Sequence, residues 1–160
     1  MIGLTSVLLD CSFCIHLLKE DAEHHQNAKD YFRYFLEHEI EIYLSTIVVS
    51  EYSVADDPDN LLSLNAFRLL EFDYTDAKTA GSFFSSIKQN KPLREVEQRK
   101  VIINDVKIFA QIHNRRIDGY ITSDRKSLRK IKEPLEKSQG LKVEFIDLAI
   151  PLNNWLGRLF

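Results

Sequence analysis

Short apolar runs recur along the chain, each stopped by polar residues. Val7-Leu8-Leu9 ends at Asp10, and Ile42-Tyr43-Leu44 ends at Ser45-Thr46. Leu69 to Phe72, Gly119 to Thr122 and Val143 to Ile146 are three further runs with β-branched or aromatic content, and all five read as buried strands. Between them the apolar spacing changes to three and four, at Ala28, Tyr31, Phe32, Phe35 and Leu36, and again at Ile102, Val106, Phe109 and Ala110. That period predicts amphipathic helices. Strands alternating with helices and lacking hairpin signals imply βαβ crossovers, hence a doubly wound α/β fold whose parallel sheet is covered on both faces.

No internal repeat, low-complexity tract or Pro/Gly-rich linker interrupts the pattern, so residues 1–160 read as one domain. The Asp56-Asp57-Pro58-Asp59-Asn60 cluster reads as a polar loop. The stretch from Pro151 to Phe160 reads as a short helix whose Trp155, Leu156 and Leu159 cover the core. A domain of this length buries roughly two thirds of its unfolded surface and needs no staple. Two cysteines make no disulfide framework, and the N-terminus lacks the features of a signal peptide, so a cytoplasmic protein is expected. The longest apolar runs fall far short of the roughly 20 residues that span a bilayer, which argues against a membrane protein.

Charge changes this picture in one respect. Residues 1–80 carry 5 Lys+Arg against 15 Asp+Glu, and residues 81–160 carry 16 against 9, so a net charge of −3 hides an acidic half and a basic half. Such asymmetry can steer a polyanion to one side of a protein. The basic excess is densest from Arg115 to Lys132, where Arg125, Lys126 and Arg129 are candidate contacts to an RNA backbone. A merely solvated helix face explains the same residues equally well.

In an open α/β sheet ligands bind beyond the carboxyl ends of the strands, where the topology reverses. Asp10 follows the first predicted strand directly, and Asp124 lies two residues past the fourth. Glu51 would stand on the second turn of a helix opening after the second strand, with Thr46 as its cap. Asp105 is expected near the start of the helix that continues through Val106, Phe109 and Ala110, where the helix dipole would favour its charge. Asp10 and Asp105 also have apolar neighbours, and a buried carboxylate needs a partner. A divalent cation would supply one, and oxygen donors suit Mg²⁺ or Mn²⁺. Phosphodiester hydrolysis needs an activated water and neutralised phosphoryl oxygens, which such an ion provides without a nucleophilic side chain. No convincing Ser/His/Asp or Cys/His arrangement is present. Cys11-Ser-Phe-Cys14 is a lone CxxC, read as two buried small residues, and His24-His25 is read as part of an exposed polar turn.

At these residues the sequence resembles the PIN-domain family, especially the small VapC-like toxins of bacterial toxin-antitoxin pairs. Four blocks carry the likeness: Val7-Leu8-Leu9-Asp10-Cys11-Ser12, Leu44-Ser45-Thr46-Ile47-Val48-Val49-Ser50-Glu51, Asn104-Asp105, and Tyr120-Ile121-Thr122-Ser123-Asp124. The resemblance implies a three-layer α/β/α sandwich around a parallel sheet of about five strands. It implies a ribonuclease dependent on Mg²⁺ or Mn²⁺, a homodimer, and an antitoxin protein that covers the site. By it Asp10 and Asp105 would be the principal metal ligands, Glu51 and Asp124 would complete the acidic cluster, and Ser12 and Thr122 would be hydroxyl donors beside it. Lys126 departs from the pattern, since many relatives carry an acid there, and the stretch from Thr75 to Asn104 is less family-like than the rest. Two rivals stand beside this reading. One is a degenerate scaffold that binds RNA or a protein without cutting. The other, a phosphatase or nucleotide-binding enzyme, has no Gly-rich phosphate loop to support it.

Overall fold

The structure is a computed structural model that describes residues 3–89 and 99–157. Five strands, β1 (Ser6–Leu9), β2 (Glu41–Ser45), β3 (Arg68–Leu70), β4 (Gly119–Thr122) and β5 (Glu144–Asp147), form one sheet in the order β3-β2-β1-β4-β5, and every pairing is parallel. The helices are α1 (Cys11–Leu18), α2 (His25–Glu37), α3 (Thr46–Tyr52), α4 (Pro58–Leu62), α5 (Tyr74–Lys88), α6 (Arg99–Arg115), α7 (Arg125–Gln139) and α8 (Leu152–Gly157). α1 packs on α2 and α2 on α8, whereas α5 packs on α6 and α7, so helices flank the sheet in a three-layer α/β/α arrangement.

β1 and β4 are buried along their whole length, as central strands of a covered parallel sheet must be. Their register sets Leu8 beside Tyr120 and Leu9 beside Ile121. The core around them is aromatic: Tyr120 meets Phe109 of α6 edge-on at 6.0 Å and Phe145 of β5 at 5.7 Å. Trp155 of α8 is buried against Tyr31 of α2 at 5.7 Å, in the covering role expected of this segment. Leu159 lies outside the described residues.

Several local expectations are corrected. β3 ends at Leu70 rather than Phe72, because the Phe72 N–H turns to donate to Thr46 Oγ1 at 3.2 Å. β5 runs from Glu144 to Asp147, one residue later than the apolar run suggests. The cap of α3 is Ser45, whose Oγ accepts from Ile47 N at 3.1 Å, so Thr46 is the first helical residue. The acidic Asp56–Asn60 cluster is no loop: Asp57 caps α4 and Pro58 occupies its first turn. Nor are the histidines a solvated turn. His24 and His25 are half-buried; the His24 N–H donates to His16 Nδ1 at 3.0 Å, and the two rings stack at 5.2 Å. Within Thr75 to Asn104, α5 and the first residues of α6 are described, and residues 90–98 lie outside the described residues.

Candidate active site

The sheet order places the switch point between β1 and β4. The chain leaves β1 for β2 and β3 on one side, then crosses to β4 and β5 on the other. Asp10 stands at the carboxyl end of β1, held there by its N–H on Ile121 O at 3.0 Å. It is the N-cap of α1, but its side chain makes no capping bond. Its carboxylate instead collects hydroxyls. Ser12 Oγ and Thr122 Oγ1 each donate to Oδ2 at 2.7 Å, and Tyr120 Oη donates to Oδ1 at 2.8 Å.

The two small hydroxyls are themselves fixed by backbone. Ser123 N donates to Ser12 Oγ at 3.0 Å, and Asp124 N donates to Thr122 Oγ1 at 2.9 Å. Each hydroxyl thus accepts from an amide and points its own proton at Asp10, a chain in which each bond polarises the next. The β4–α7 turn is thereby tied to the end of β1.

Glu51 on α3 and Asp105 on α6 approach the same point. The Tyr120 hydroxyl is wholly buried, and its pKa is pushed well above the usual tyrosine value by that burial and by the charges of Asp10, Asp105 and Glu51. It therefore stays a donor. Burial, and then the neighbouring charge of Asp10, push the Glu51 carboxyl up from 4.5 to about 7. Glu51 Oε1 is buried and accepts no hydrogen bond among the described residues. Asp105 lies seven residues into α6, not at its start, so the helix dipole contributes little to its charge. Asp124 caps α7 in position only. It is exposed, makes no side-chain capping bond, and reaches the site through its backbone N–H on Thr122.

A buried polar link orients the two acid-bearing helices. Ser45 Oγ donates to Gln111 Oε1, and Gln111 Nε2 donates to Leu70 O at 3.3 Å. Gln111 is fully buried on α6, so the start of α3 is joined to the helix that carries Asp105.

The sequence pattern missed Tyr120 and Gln111. A tyrosine inside an apolar strand and a glutamine on a helix carry no signal of their own; only the register of β4 on β1 brings the phenol to Asp10. Burial, and then Glu51 and Asp10, push the Cys11 thiol up to about 12, which disfavours the thiolate that redox chemistry of the CxxC pair would need.

Of the three basic candidates, Arg125 opens α7 and is half-buried, whereas exposed Arg129 pairs with Glu133 at 2.8 Å. The side chain of Lys126 lies outside the described residues. Arg125, Arg129 and Lys132 line a groove of about 530 Å³ against β5 and Trp155, together with Glu133 and Glu136.

The donor set fits a hard divalent cation. Every side chain hydrogen-bonded to the Asp10 carboxylate offers oxygen, and the buried Glu51 Oε1, which accepts no hydrogen bond among the described residues, is a further hard donor. Among the described residues no group of three His, Cys, Asp or Glu side chains is set to hold one ion.

Glu51→Gln separates charge from shape. Because the folded chain holds the Glu51 proton more tightly than the unfolded one, stability falls as pH rises from about 4.5 to 7, and the full penalty stands above 7. For a half-buried group this is worth about 1–2 kcal/mol after solvent screening. The amide is therefore expected to stabilise the metal-free protein at pH 8 and to give no gain at pH 4, by thermal denaturation. A gain independent of pH would contradict the burial of a charge there.

No protein-family model matches the sequence, and no curated protein matches it. Solved structures do match. The chain is similar to one in VapBC2 from Rickettsia felis bound to a DNA fragment from their promoter, at 15% identity and TM-score 0.62, over 89% of this chain and 99% of that one. DNA-bound VapBC from Salmonella typhimurium aligns at 17% identity and TM-score 0.57, over 88% and 97%. A toxin-antitoxin complex from Klebsiella pneumoniae aligns at 16% and 0.55, over 89% and 97%. At such identities the likeness speaks to architecture, and the architecture of this chain is the VapC-like PIN fold.

Proposed function

We propose that the protein is an endoribonuclease that hydrolyses RNA phosphodiester bonds with the help of Mg²⁺ or Mn²⁺, and that it is the toxin of a toxin-antitoxin pair. One observation carries the reading: Asp10, caged by three hydroxyls at the switch point, shares its surroundings with Glu51 and Asp105. Glu51 places a buried oxygen, which accepts no hydrogen bond among the described residues, close to the Asp10 carboxylate, and two like charges so placed are costly unless a cation joins them. The structures of similar fold are VapBC or toxin-antitoxin complexes, which supports an antitoxin partner for this chain. We include in the proposal a homodimer and a cytoplasmic location; no helix among the described residues is long and apolar enough to cross a membrane.

In this mechanism Asp10 and Asp105 would hold the ion, Glu51 would complete the acidic cluster, and the exposed Asp124 would add its charge from the rim. The ion, when bound, supplies neutralisation of the phosphoryl oxygens and activation of water. Ser12, Thr122 and Tyr120 fix the Asp10 carboxylate, and ligand orientation of this kind is part of what makes a metal site work. Glu51 stands near Asp10 with a buried oxygen that accepts no hydrogen bond among the described residues, and it is the carboxylate assigned to accept the proton of the attacking water. Water oxygen bonds to phosphorus as the bond to the 3′-oxygen breaks, and that oxygen takes up a proton. The products are a 5′-phosphate and a 3′-hydroxyl. The amides at the start of α1 and α7 open on the same edge without side-chain caps, a favourable setting for phosphate.

The test is cleavage of an end-labelled structured RNA with Mn²⁺, with Mg²⁺ and with EDTA. Cutting that requires the ion and leaves 5′-phosphate ends is expected, whereas 2′,3′-cyclic phosphate ends would refute the route. A protein that binds the ion and RNA but cuts no RNA would be the binding scaffold instead.

Of the two basic candidates whose side chains are described, Arg125 has no recorded ion pair, so it is the one expected to meet the RNA backbone. Arg125→Ala is expected to weaken RNA binding and to reduce the slope of log K against log salt by about 0.7 for one lost phosphate contact. Arg129→Ala should change the slope less, because Glu133 already engages that side chain. Equal slopes for both variants and the parent would remove α7 from the RNA path.

A further inference from the structure

Glu51 and Asp105 reach the site from helices rather than from strand ends, so their separation depends on how α3 and α6 are held against each other. α3 is only seven residues long, with Glu51 in its last turn. Five residues of helix carry Glu51 about 7.5 Å from Thr46, so a tilt of about 8° at the start of α3 would displace it by about 1 Å. Polar groups at the carboxyl edge of the sheet oppose such a tilt.

Ser45 and Gln111 are both fully buried. Leu70 O can only accept, so the Gln111 amide turns Nε2 to it, at 3.3 Å, and leaves Oε1 for the Ser45 hydroxyl. Ser45 Oγ in turn accepts the Ile47 amide of α3, and Phe72 N, just past β3, donates to Thr46 Oγ1 at 3.2 Å. The end of β3 thus holds the start of α3 twice, once directly and once through a side chain of α6. The middle of that bridge has to accept from Ser45 and donate to Leu70 O at once, which a carboxylate, a guanidinium or an ammonium cannot do. Apolar groups of the same shape would fold about as well, because buried hydrogen bonds add little net stability. A satisfied polar network adds direction, since it fixes the elements it joins in one arrangement.

We infer that Gln111 is a positioning residue: through Ser45 and Leu70 O it sets where Glu51 stands relative to Asp105, and so the geometry in which the acidic cluster meets a cation and the scissile phosphate. The inference rests on the cation-dependent reading above. Being wholly buried, Gln111 does not touch RNA, so its effect falls on kcat and on metal affinity rather than on KM for RNA.

The experiment compares Gln111→Met and Gln111→Glu with the parent, by calorimetric titration of the metal-free full chain with MnCl₂ at mildly acidic pH and by cleavage of a structured RNA. Melting curves establish that each protein is folded at the assay temperature. Gln111→Met keeps the length of the side chain and makes neither bond. It is expected to bind Mn²⁺ about tenfold more weakly, the low end of what loss of supporting partners costs a metal site. Its kcat is expected to fall about a hundredfold, the scale of a 1 Å misplacement, with KM for RNA unchanged. Gln111→Glu is the rescue: a carboxyl buried there stays protonated, presents one acceptor and one donor as the amide does, and should give Mn²⁺ affinity within about twofold of the parent. Parent-like affinity and kcat in a folded Gln111→Met protein would overturn the inference and leave the cation-dependent reading standing. Equal weakening in both variants would also overturn it, because the bridge would then not be what matters. Should Gln111→Met not fold, Ser45→Ala cuts the same bridge at its other end, and the same expectation and refutation apply to it. A parent that binds no Mn²⁺ at millimolar concentration would overturn the cation-dependent reading, and the inference with it.

Discussion

Asp10→Asn is expected to abolish RNA cleavage, by roughly a thousandfold or more, because it removes the carboxylate on which both the ion and the hydroxyl shell converge. The substitution keeps the volume and changes one oxygen to an amino group. If that group faces Ser12 and Thr122, two hydroxyl protons lose their acceptor; if it faces Tyr120, one buried phenol does. Either orientation leaves a polar group poorly paired, at a cost of about 1–3 kcal/mol. The variant should therefore melt earlier than the parent but still cooperatively, and circular dichroism at the assay temperature shows whether it is folded. Full activity in a folded Asp10→Asn protein would end the ribonuclease proposal.

The largest effect on stability is expected far from that site, at Arg115→Ala. The Asp76 carboxylate on α5 is completely buried. It accepts from Arg115 Nη1 at 2.6 Å and Nη2 at 3.1 Å and from Asn114 Nδ2 at 2.9 Å, and its backbone and side chain form a capping box with Asp73. Removing Arg115 leaves a buried charge with its countercharge gone, which costs about 3–5 kcal/mol and would lower the melting temperature by roughly 10 °C. The pH dependence has a definite sign. Burial alone would raise the Asp76 carboxyl, but the bonds from Arg115, Asn114 and the Asp73 amide bring it below its ordinary 3.8. That contribution is complete above 3.8 and disappears as pH falls through the folded-state value. Urea denaturation should show the parent's advantage over Arg115→Ala at pH 7 shrinking at pH 3. A loss below about 1 kcal/mol at pH 7 would mean that Asp76 finds water instead.

Much of this architecture is legible in the order of residues. A fully covered parallel strand has to be apolar on both faces, so Val7-Leu8-Leu9 and Gly119 to Thr122 announce themselves, and the acid that ends the first run marks the sheet edge. What the pattern misplaces are boundaries set by single hydrogen bonds. Ser45 and Thr46 are equally good caps on paper, and the choice between them is made by Ile47 N and by Phe72 N arriving from 26 residues away. The same holds for Asp76 and Arg115, on separate helices and 39 residues apart, which look like two ordinary surface charges until α5 is laid on α6. At the candidate site the carboxylates stand out because acids are rare in apolar surroundings. The hydroxyls that hold them do not, because Ser12, Tyr120 and Thr122 each have an unremarkable local explanation.

The partners of Asp10 impose an order on synthesis. The phenol and the threonine that hold it lie 110 and 112 residues downstream, and the strand that carries them forms its ladder directly on β1. A nascent chain that has emerged only as far as α5 contains Asp10 and Glu51, yet it has no β4 to complete the shell. The hydroxyl bonds to Asp10 therefore form only after most of the chain has left the ribosome and closed a long loop, a slow kind of contact to make. A truncated translation product that stops before β4 would hold Asp10 without the partners that orient it.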